Sequence, residues 1–445
     1  MSTTRRSFLK IEPGEQTLVF TLGLLLAGNA IVRQVTGIVA VSGFLSSTGG
    51  NQVLLVMLVD YLLVLVFSAL QSLIVDRFSR PRLMATLSLV FALVFILVRV
   101  MFALQAPAWL NYAIMYILAE QQVVFFPLIF WVMANDACNM AQAKRLFPVI
   151  SGFGFAGKLI GIGIAMLAPQ FFVLTRLHPE EILTFNALVY LLLVLAIWLG
   201  LRRFTFHKPQ PQEQTWRANL NDGWEFVRGV PSFHYLMFGI LGVAIAYTII
   251  EFRFLVVTDA AFTTQASYQQ FYSLYRLGVT LISFILQSFL TSRLTAWIKL
   301  KNVYIILPVL TLTGALLTLL FPAAGMVIGV LATLRITRDT VDETAGYALL
   351  ALVPEERRGR VSTFMDSYLP STGIVLACLL AGTVVLAGIL FKFEAAPIYL
   401  GLAALAAAGS IWAVLKMRSV YEKSLLDWRL KRRHRASSVL DKLDL

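Results

Sequence analysis

The chain has 445 residues, of which 58% are hydrophobic and only 14% charged, with a mean hydropathy of +0.78 and a formal net charge of +13. Soluble globular chains carry about 25% charged residues, so this chain must dissolve in lipid rather than hide its apolar surface from water. Alternating segments of roughly ten residues, the mark of a membrane barrel, are absent, which leaves helices.

Apolar runs long enough to cross about 30 Å of hydrocarbon recur from end to end. They predict about twelve helical spans, at 17–43, 52–75, 83–104, 108–134, 147–172, 182–202, 233–258, 267–291, 302–321, 323–353, 361–390 and 395–417. Arg5, Arg6 and Lys10 before the first run mimic a signal peptide. That run is too long for one and no A-x-A site closes it, so it reads as a retained helix. Spans nine and ten meet at a tight boundary at Phe321-Pro322.

Basic residues fall on one side of this plan. Arg77, Arg80 and Arg82 lie in one loop, Lys144 and Arg145 in another, and Arg202, Arg203, Lys208, Arg217 and Arg228 between spans six and seven. Arg293, Lys299, Lys301, Arg357, Arg358, Arg360 and a basic tail continue the series, against little beyond Arg176 and Lys392 opposite. The positive-inside rule then puts both termini in the cytoplasm. Most of the net charge reflects topology and attraction to an anionic lipid bilayer. Nucleic-acid binding is not expected, because there is no basic soluble domain to carry it.

The longest polar interruption defines the organisation. It predicts a six-helix half at 1–202, a cytoplasmic linker with a short amphipathic helix at 203–232, a second half at 233–418 and a basic tail at 419–445. The linker helix is "NLNDGWEFVRGVP", ended by Pro231. Six plus six around an inner loop is the major facilitator plan, an all-α membrane fold with its substrate site near the midplane between halves. "VDRFSRPR" (75–82) resembles the facilitator loop motif, in which Asp76 and Arg80 would latch the cytoplasmic side through charged hydrogen bonds. Read plainly, the same stretch is a solvated inner loop.

"SGFGFAGKLIG" (151–161) imitates a phosphate-binding loop, G-x-x-x-x-G-K. No strand precedes it, and Leu159 stands where that loop needs Ser or Thr. Gly154, Gly157, Gly161 and Ala165 follow helical spacing instead, which predicts close helix packing. Lys158 is a different matter, a cation inside an apolar helix.

At 1.5 Å per residue, Lys158 lies roughly 17 Å into the fifth span. The same arithmetic places Arg33, Glu120, Arg276, Arg335, Arg338 and Asp339 near mid-membrane, Asp60 shallower, Arg99, Glu251 and Arg253 in the outer third, and Asp136 and Asp366 at the inner rim. A mid-membrane charge costs at least about 2.5–3.5 kcal/mol, so such residues pair or face a cavity. Arg335 with Asp339 and Arg338 with Asp342 are expected i,i+4 pairs, serving either structure or gating. Glu120 would neutralise one of Arg33, Lys158 and Arg276, leaving cations for an anionic substrate, with Tyr272 and Tyr275 beside Arg276 for hydrogen bonds or stacking. The alternative is that all of these are buried structural ion pairs.

Three stretches carry a family resemblance. "FWVMANDACNMAQAKRLFPVISGFGFAGKLIG" (130–161), "QQFYSLYRLGVTLISFILQSFLTSRLTAWIKLKNVYIILP" (269–308) and "LRITRDTVDETAGYALLALVPEERRGRVSTFMDSYLPSTG" (334–373) resemble spans four to five, eight to nine and ten to eleven of the ATP/ADP antiporter (nucleotide transporter) family. The matching points include Ala134-Asn135-Asp136, Lys144-Arg145, Gln287, Pro308, Arg335, Tyr347, Pro354, Arg358, Asp366 and Gly373. The resemblance implies nucleotide exchange. It also suggests that the tail leads into a fused or associated cytoplasmic regulatory domain of the kind that follows the membrane part in many bacterial relatives.

The four histidines lie near span ends or in loops, Cys138 and Cys378 suit no disulfide, and no nucleophile or paired-acid motif appears. An enzyme, a cofactor and a metal are therefore not expected. Three functions stand: a secondary transporter for an organic anion such as a nucleotide; a proton-coupled facilitator for an amphiphile, lipid or drug with Asp60, Glu120 or Glu251 as carrier; and a membrane anchor or sensor that transports nothing. In a transporter, Asp60, Asp76, Arg80, Glu120, Asp136, Glu251, Asp339 and Asp366 are the coupling and gating candidates.

Overall fold

The computed structural model describes residues 11–12, 14–74, 78–176, 178–202, 204, 216–289, 300–342, 353 and 360–440. Six long helices come first: α1 Gln16–Thr48, α2 Val53–Ile74, α3 Arg80–Ala103, α4 Ala108–Ala137, α5 Met140–Thr175 and α6 Glu181–Gly200. The linker helix α7, Trp216–Gly229, precedes α8 Pro231–Ala261, α9 Gln265–Phe289, α10 Ile306–Leu320, α11 Ala324–Thr337, α12 Leu369–Phe391 and α13 Ala395–Leu440. Each expected span has one of these helices within or across it, while 290–291 of the eighth and 343–352 of the tenth lie outside the described residues. Among the described residues, nine helices are long and apolar enough to cross a membrane. α10 and α11 have only 15 and 14 residues, and α9 is diluted by polar positions such as Gln269, Gln270, Ser273 and Arg276.

Local chemistry moves several boundaries away from the hydropathy pattern. α5 starts at Met140 rather than 147, because Asn139 and Gln142 form a capping box: Gln142 N donates to Asn139 Oδ1 at 2.9 Å and Asn139 N to Gln142 Oε1 at 3.1 Å. α3 starts at Arg80, with Pro81 in its first turn where a missing N–H costs nothing. α13 does not stop at 417 but continues through the basic segment to Leu440. α11 runs into a π-helical stretch, Arg338–Asp342, and a second one, Phe364–Tyr368, leads into α12.

The described residues group into two compact units, one holding the segment up to Gln214 plus Thr258–Thr280, the other Thr215–Val257 plus Leu281–Leu445. In the first, α1 is the central helix. The small-residue face of α5 packs on it: a Cβ at Gly157 would collide with the Ala27 backbone, and one at Gly161 would sit 2.6 Å from Ile31 O. On another side, Tyr190 Oη donates to Asn29 Oδ1 at 2.7 Å and Asn186 Nδ2 to Thr36 Oγ1 at 3.0 Å, fixing α6 on α1. Such interhelical bonds in lipid contribute about 0.6 kcal/mol each on average. The rings of Phe91, Phe95 and Phe126 close around Tyr190 with centroids 5.2–6.4 Å away.

In the second unit, α13 lies against α10 and α8, where Ser410 Oγ donates to Gly239 O at 2.7 Å. The linker helix α7 belongs here. Its Val227 is buried, and Gly223 and Trp224 rest on Phe364 of the second π-helical stretch.

Candidate functional site

In the first unit, one contact sets the register of α9 against α5. Gln269 Nε2 donates to Ala165 O at 2.8 Å, and Ser42 Oγ of α1 lies 3.5 Å from Gln269 Oε1. The start of α9 (Gln265, Ala266) faces the end of α5 (Pro169, Phe172), so the two helices run antiparallel. Lys158 is seven residues before Ala165 and Arg276 seven after Gln269. Seven residues are nearly two turns, so each cation lies on the face of its contact residue and about 10 Å along from it. The two cations are therefore brought to one level on facing helices. The Arg276 guanidinium stands 5.7 Å from the Tyr272 ring centroid, and the rings of Tyr272 and Tyr275 stack at 6.2 Å. Cation–π contact of this kind contributes about 0.5–1 kcal/mol or more.

Arg33 does not join this pair. It shares a face of α1 with Asn29 and Thr36, the residues held by Tyr190 and Asn186, and its charge is within electrostatic reach of Tyr190. Glu120 lies instead near Asp60, and the adjacent Gln121 donates from Nε2 to Asp60 Oδ1 at 3.0 Å. Asp60 is fully buried on α2, and its Oδ2 has no hydrogen-bond partner among the described residues. Gln121 was not singled out from the sequence. An amide beside an acid in an apolar run is the signal that marks it.

At the other end of the unit, Arg80 Nε reaches Asp136 Oδ2 at 3.5 Å, joining α3 to α4. Asp76, the other half of the expected latch, lies outside the described residues. Beside this contact, Arg145 binds Glu12 at 3.0 Å and Glu15 at 2.7 Å, while Gln142 Nε2 donates to Glu15 Oε1 at 3.0 Å. The Glu12 backbone N–H, with Gln142 and Arg145, holds the Glu15 carboxyl below the usual carboxylate range. The start of α1 is thus tied to the start of α5 by charge.

In the second unit Arg335, expected to pair with Asp339, takes another partner. Arg335 binds Glu251 of α8 through Nη2, and its Nε donates to Tyr247 Oη at 3.3 Å. The reason is geometric: the helix turns to π winding at Arg338, so residues four apart no longer stack as they do on an α-helix. Asp339 is exposed. Arg338 sits 5.0 Å from the Tyr247 ring centroid and lines, with Asp342 and Tyr304, a small cavity of about 100 Å3. Asp366 is exposed on the second π-helical stretch and accepts from Ser362 Oγ at 2.7 Å. Tyr347, Pro354 and Arg358 lie outside the described residues. No group of His, Cys, Asp and Glu among the described residues is arranged to hold a metal ion.

Comparison with solved structures decides the architecture. The nucleoside transporter NupG superposes with a TM-score of 0.61 at 14% identity, covering 91% of this chain and 99% of that one. An auto-inhibited peptide transporter of the POT family gives 0.64 at 14%, covering 90% and 97%. A bacterial homologue of the human lysosomal transporter Spinster gives 0.56 at 15%, covering 94% and 98%. The fold is the major facilitator fold. The chain is an integral membrane protein. No protein-family profile and no curated protein matches it.

Proposed function

We propose that this facilitator-fold chain is a secondary transporter working by alternating access, with six-helix halves at 1–202 and 233–418 and cytoplasmic termini. Its leading substrate is an organic anion, and among anions a nucleotide moved by exchange. The observation that carries the anion is the register that sets Lys158 and Arg276 at one level on facing helices, with Tyr272 and Tyr275 beside them. Lysine offers a point charge and arginine a two-pronged donor, a combination suited to phosphate or carboxylate oxygens. The nucleotide rests on the resemblance of 130–161, 269–308 and 334–373 to the ATP/ADP antiporters. In the second unit Arg338 lies over the Tyr247 ring, whereas Arg335 holds Glu251.

The test is uptake by proteoliposomes preloaded with nucleotide, using labelled nucleotides and other organic anions, with and without a pH gradient. Anion exchange without a gradient is expected. Lys158→Gln and Arg276→Gln should each weaken it by about 1.5–3 kcal/mol, tenfold or more in apparent affinity, as for loss of a charged hydrogen bond. Uptake of neutral or cationic compounds alone overturns the anion. The halves and their orientation are tested with single cysteines at Ser46 and Gln212 in a background lacking Cys138 and Cys378. An impermeant thiol reagent on intact cells should label the first and spare the second.

One observation favours a second reading, a proton-coupled facilitator. The fully buried Asp60, whose Oδ1 accepts from Gln121 and whose Oδ2 has no hydrogen-bond partner among the described residues, is a side chain that could accept and release a proton. Gradient-dependent uptake abolished by Asp60→Asn would select it.

A further inference from the structure

The first unit contains a cavity of about 340 Å3 that neither Lys158 nor Arg276 lines. That volume falls in the range of small-molecule sites. Its walls are mainly apolar and aromatic, built by Phe102 of α3, Tyr112 and Met115 of α4 and Phe172 of α5. Two amides at the start of α9 enter it, and both are already engaged by the protein. Gln269 is held by Ala165 O, and Gln265 Nε2 donates to Tyr112 Oη at 3.2 Å. Engaged amides shape a wall but offer a ligand little.

The remaining polar group is Glu180, at the turn before α6. Its neighbour Glu181 takes the nearby cation, Arg99, at 2.6 Å. Among the described residues Glu180 forms no salt bridge. Among the described residues the cavity therefore combines aromatic faces, which attract cations through their π electrons, with one carboxylate and no lining cation. An anion would meet Glu180 unopposed.

We propose that this cavity binds an organic cation with a compact apolar body, its charged head at Glu180 and its body against Phe102, Tyr112 and Phe172. The site is separate from the anion reading and takes the opposite charge. Because its walls include the start of α9 together with α1 and α3 to α6, an occupant adds contacts that hold this end of α9 in the first unit.

The test is equilibrium dialysis of labelled benzyltrimethylammonium against the full chain in phosphatidylcholine nanodiscs, with empty nanodiscs subtracted. Saturable binding is expected, not displaced by phenylmethanesulfonate, a matched anion. Glu180→Gln should weaken it at least about tenfold, and Glu180→Asp should keep most of it. Ala266→Phe, which grows from an exposed lining position into the cavity, should abolish it. Thermal unfolding of each variant checks the fold. Anion uptake by wild type need not change, so failure here is distinguishable from failure of the transport reading. The proposal is overturned by the absence of saturable binding, by equal displacement with the sulfonate, or by folded Glu180→Gln and Ala266→Phe variants that bind as wild type does.

Discussion

The two units handle the same problem, polar groups inside apolar helices, in different ways. In the first, the ion pairs of Arg80, Arg99 and Arg145 sit at or near helix ends, and neutral partners fill the middle: Tyr190 holds Asn29, Asn186 holds Thr36, Gln121 holds Asp60 and Gln269 holds a backbone carbonyl. In the second, a cation meets an anion directly, Arg335 on Glu251, with Tyr247 beneath both arginines. The difference teaches where to look for chemistry. A charge locked to a charge serves the scaffold, and removing either member leaves the other stranded. A scaffold built from amides and hydroxyls keeps Arg276 on the Tyr272 ring.

The contrast is broken most sharply at the ion pair. Arg335→Gln should destabilise the protein by about 3 kcal/mol, because an uncompensated, mostly buried Glu251 remains. Adding Glu251→Gln should recover most of the loss in a thermal unfolding assay. Full stability in the single variant would mean the pair is not structural and the two units do not differ in this way.

A smaller effect is expected where the first unit packs by shape alone. Gly157→Ala drives a methyl into the Ala27 backbone and should cost about 2 kcal/mol. Gly163→Ala, on the same helix with nothing within 4 Å, should be neutral or stabilising by up to about 1 kcal/mol. Equal unfolding temperatures for the two variants would refute the tight α1–α5 contact.

Smaller again is the Arg80–Asp136 contact, 3.5 Å long and partly exposed. Asp136→Asn should change stability by less than about 1 kcal/mol. A larger loss would show that its partner set is more than this pair.

The smallest effect is a pH dependence. Glu15 titrates below the usual carboxylate range, so its bonds to Gln142 and Arg145 stabilise the fold fully above that range and fade as pH falls through the lowered value. Glu15→Gln should lower stability slightly at neutral pH and flatten the acid limb of a stability–pH curve, so that variant and wild type converge in acid. An unaltered acid limb would remove Glu15 from the network.

Hydropathy made the helices legible, because lipid imposes a length that the sequence must honour at every crossing. The Gly154, Gly157, Gly161 and Ala165 spacing was equally plain: Leu26, Ala27 and Ile31 are what Gly154, Gly157 and Gly161 meet. The boundary at Phe321-Pro322 also stands, with α10 ending at Leu320 and α11 beginning at Ala324. The start of α5 was written in the sequence as Asn139-x-x-Gln142 but is masked by the polarity of the turn. What could not be read is pairing across distance. Arg335 and Glu251 are 84 residues apart, and a local rule points instead to Asp339, which only α winding would bring beneath Arg335. Arg33, Lys158 and Arg276 look equivalent by depth. Only the faces they share with Asn29, Ala165 and Gln269 separate the first from the other two.

The last helix, α13, is a single rod of 46 residues, about 69 Å long, more than twice the thickness of the hydrocarbon it would cross. The stretch after Arg418 amounts to about 33 Å of that length. A tilt of roughly 10° in the embedded part would swing the Leu440 end by about 6 Å. Such a rod works as a pointer: small rocking in the bilayer becomes a displacement in water large enough for a fluorophore near its tip to report. The same leverage runs in reverse, so a load applied at the tip would exert torque on α13 against α10 and α8.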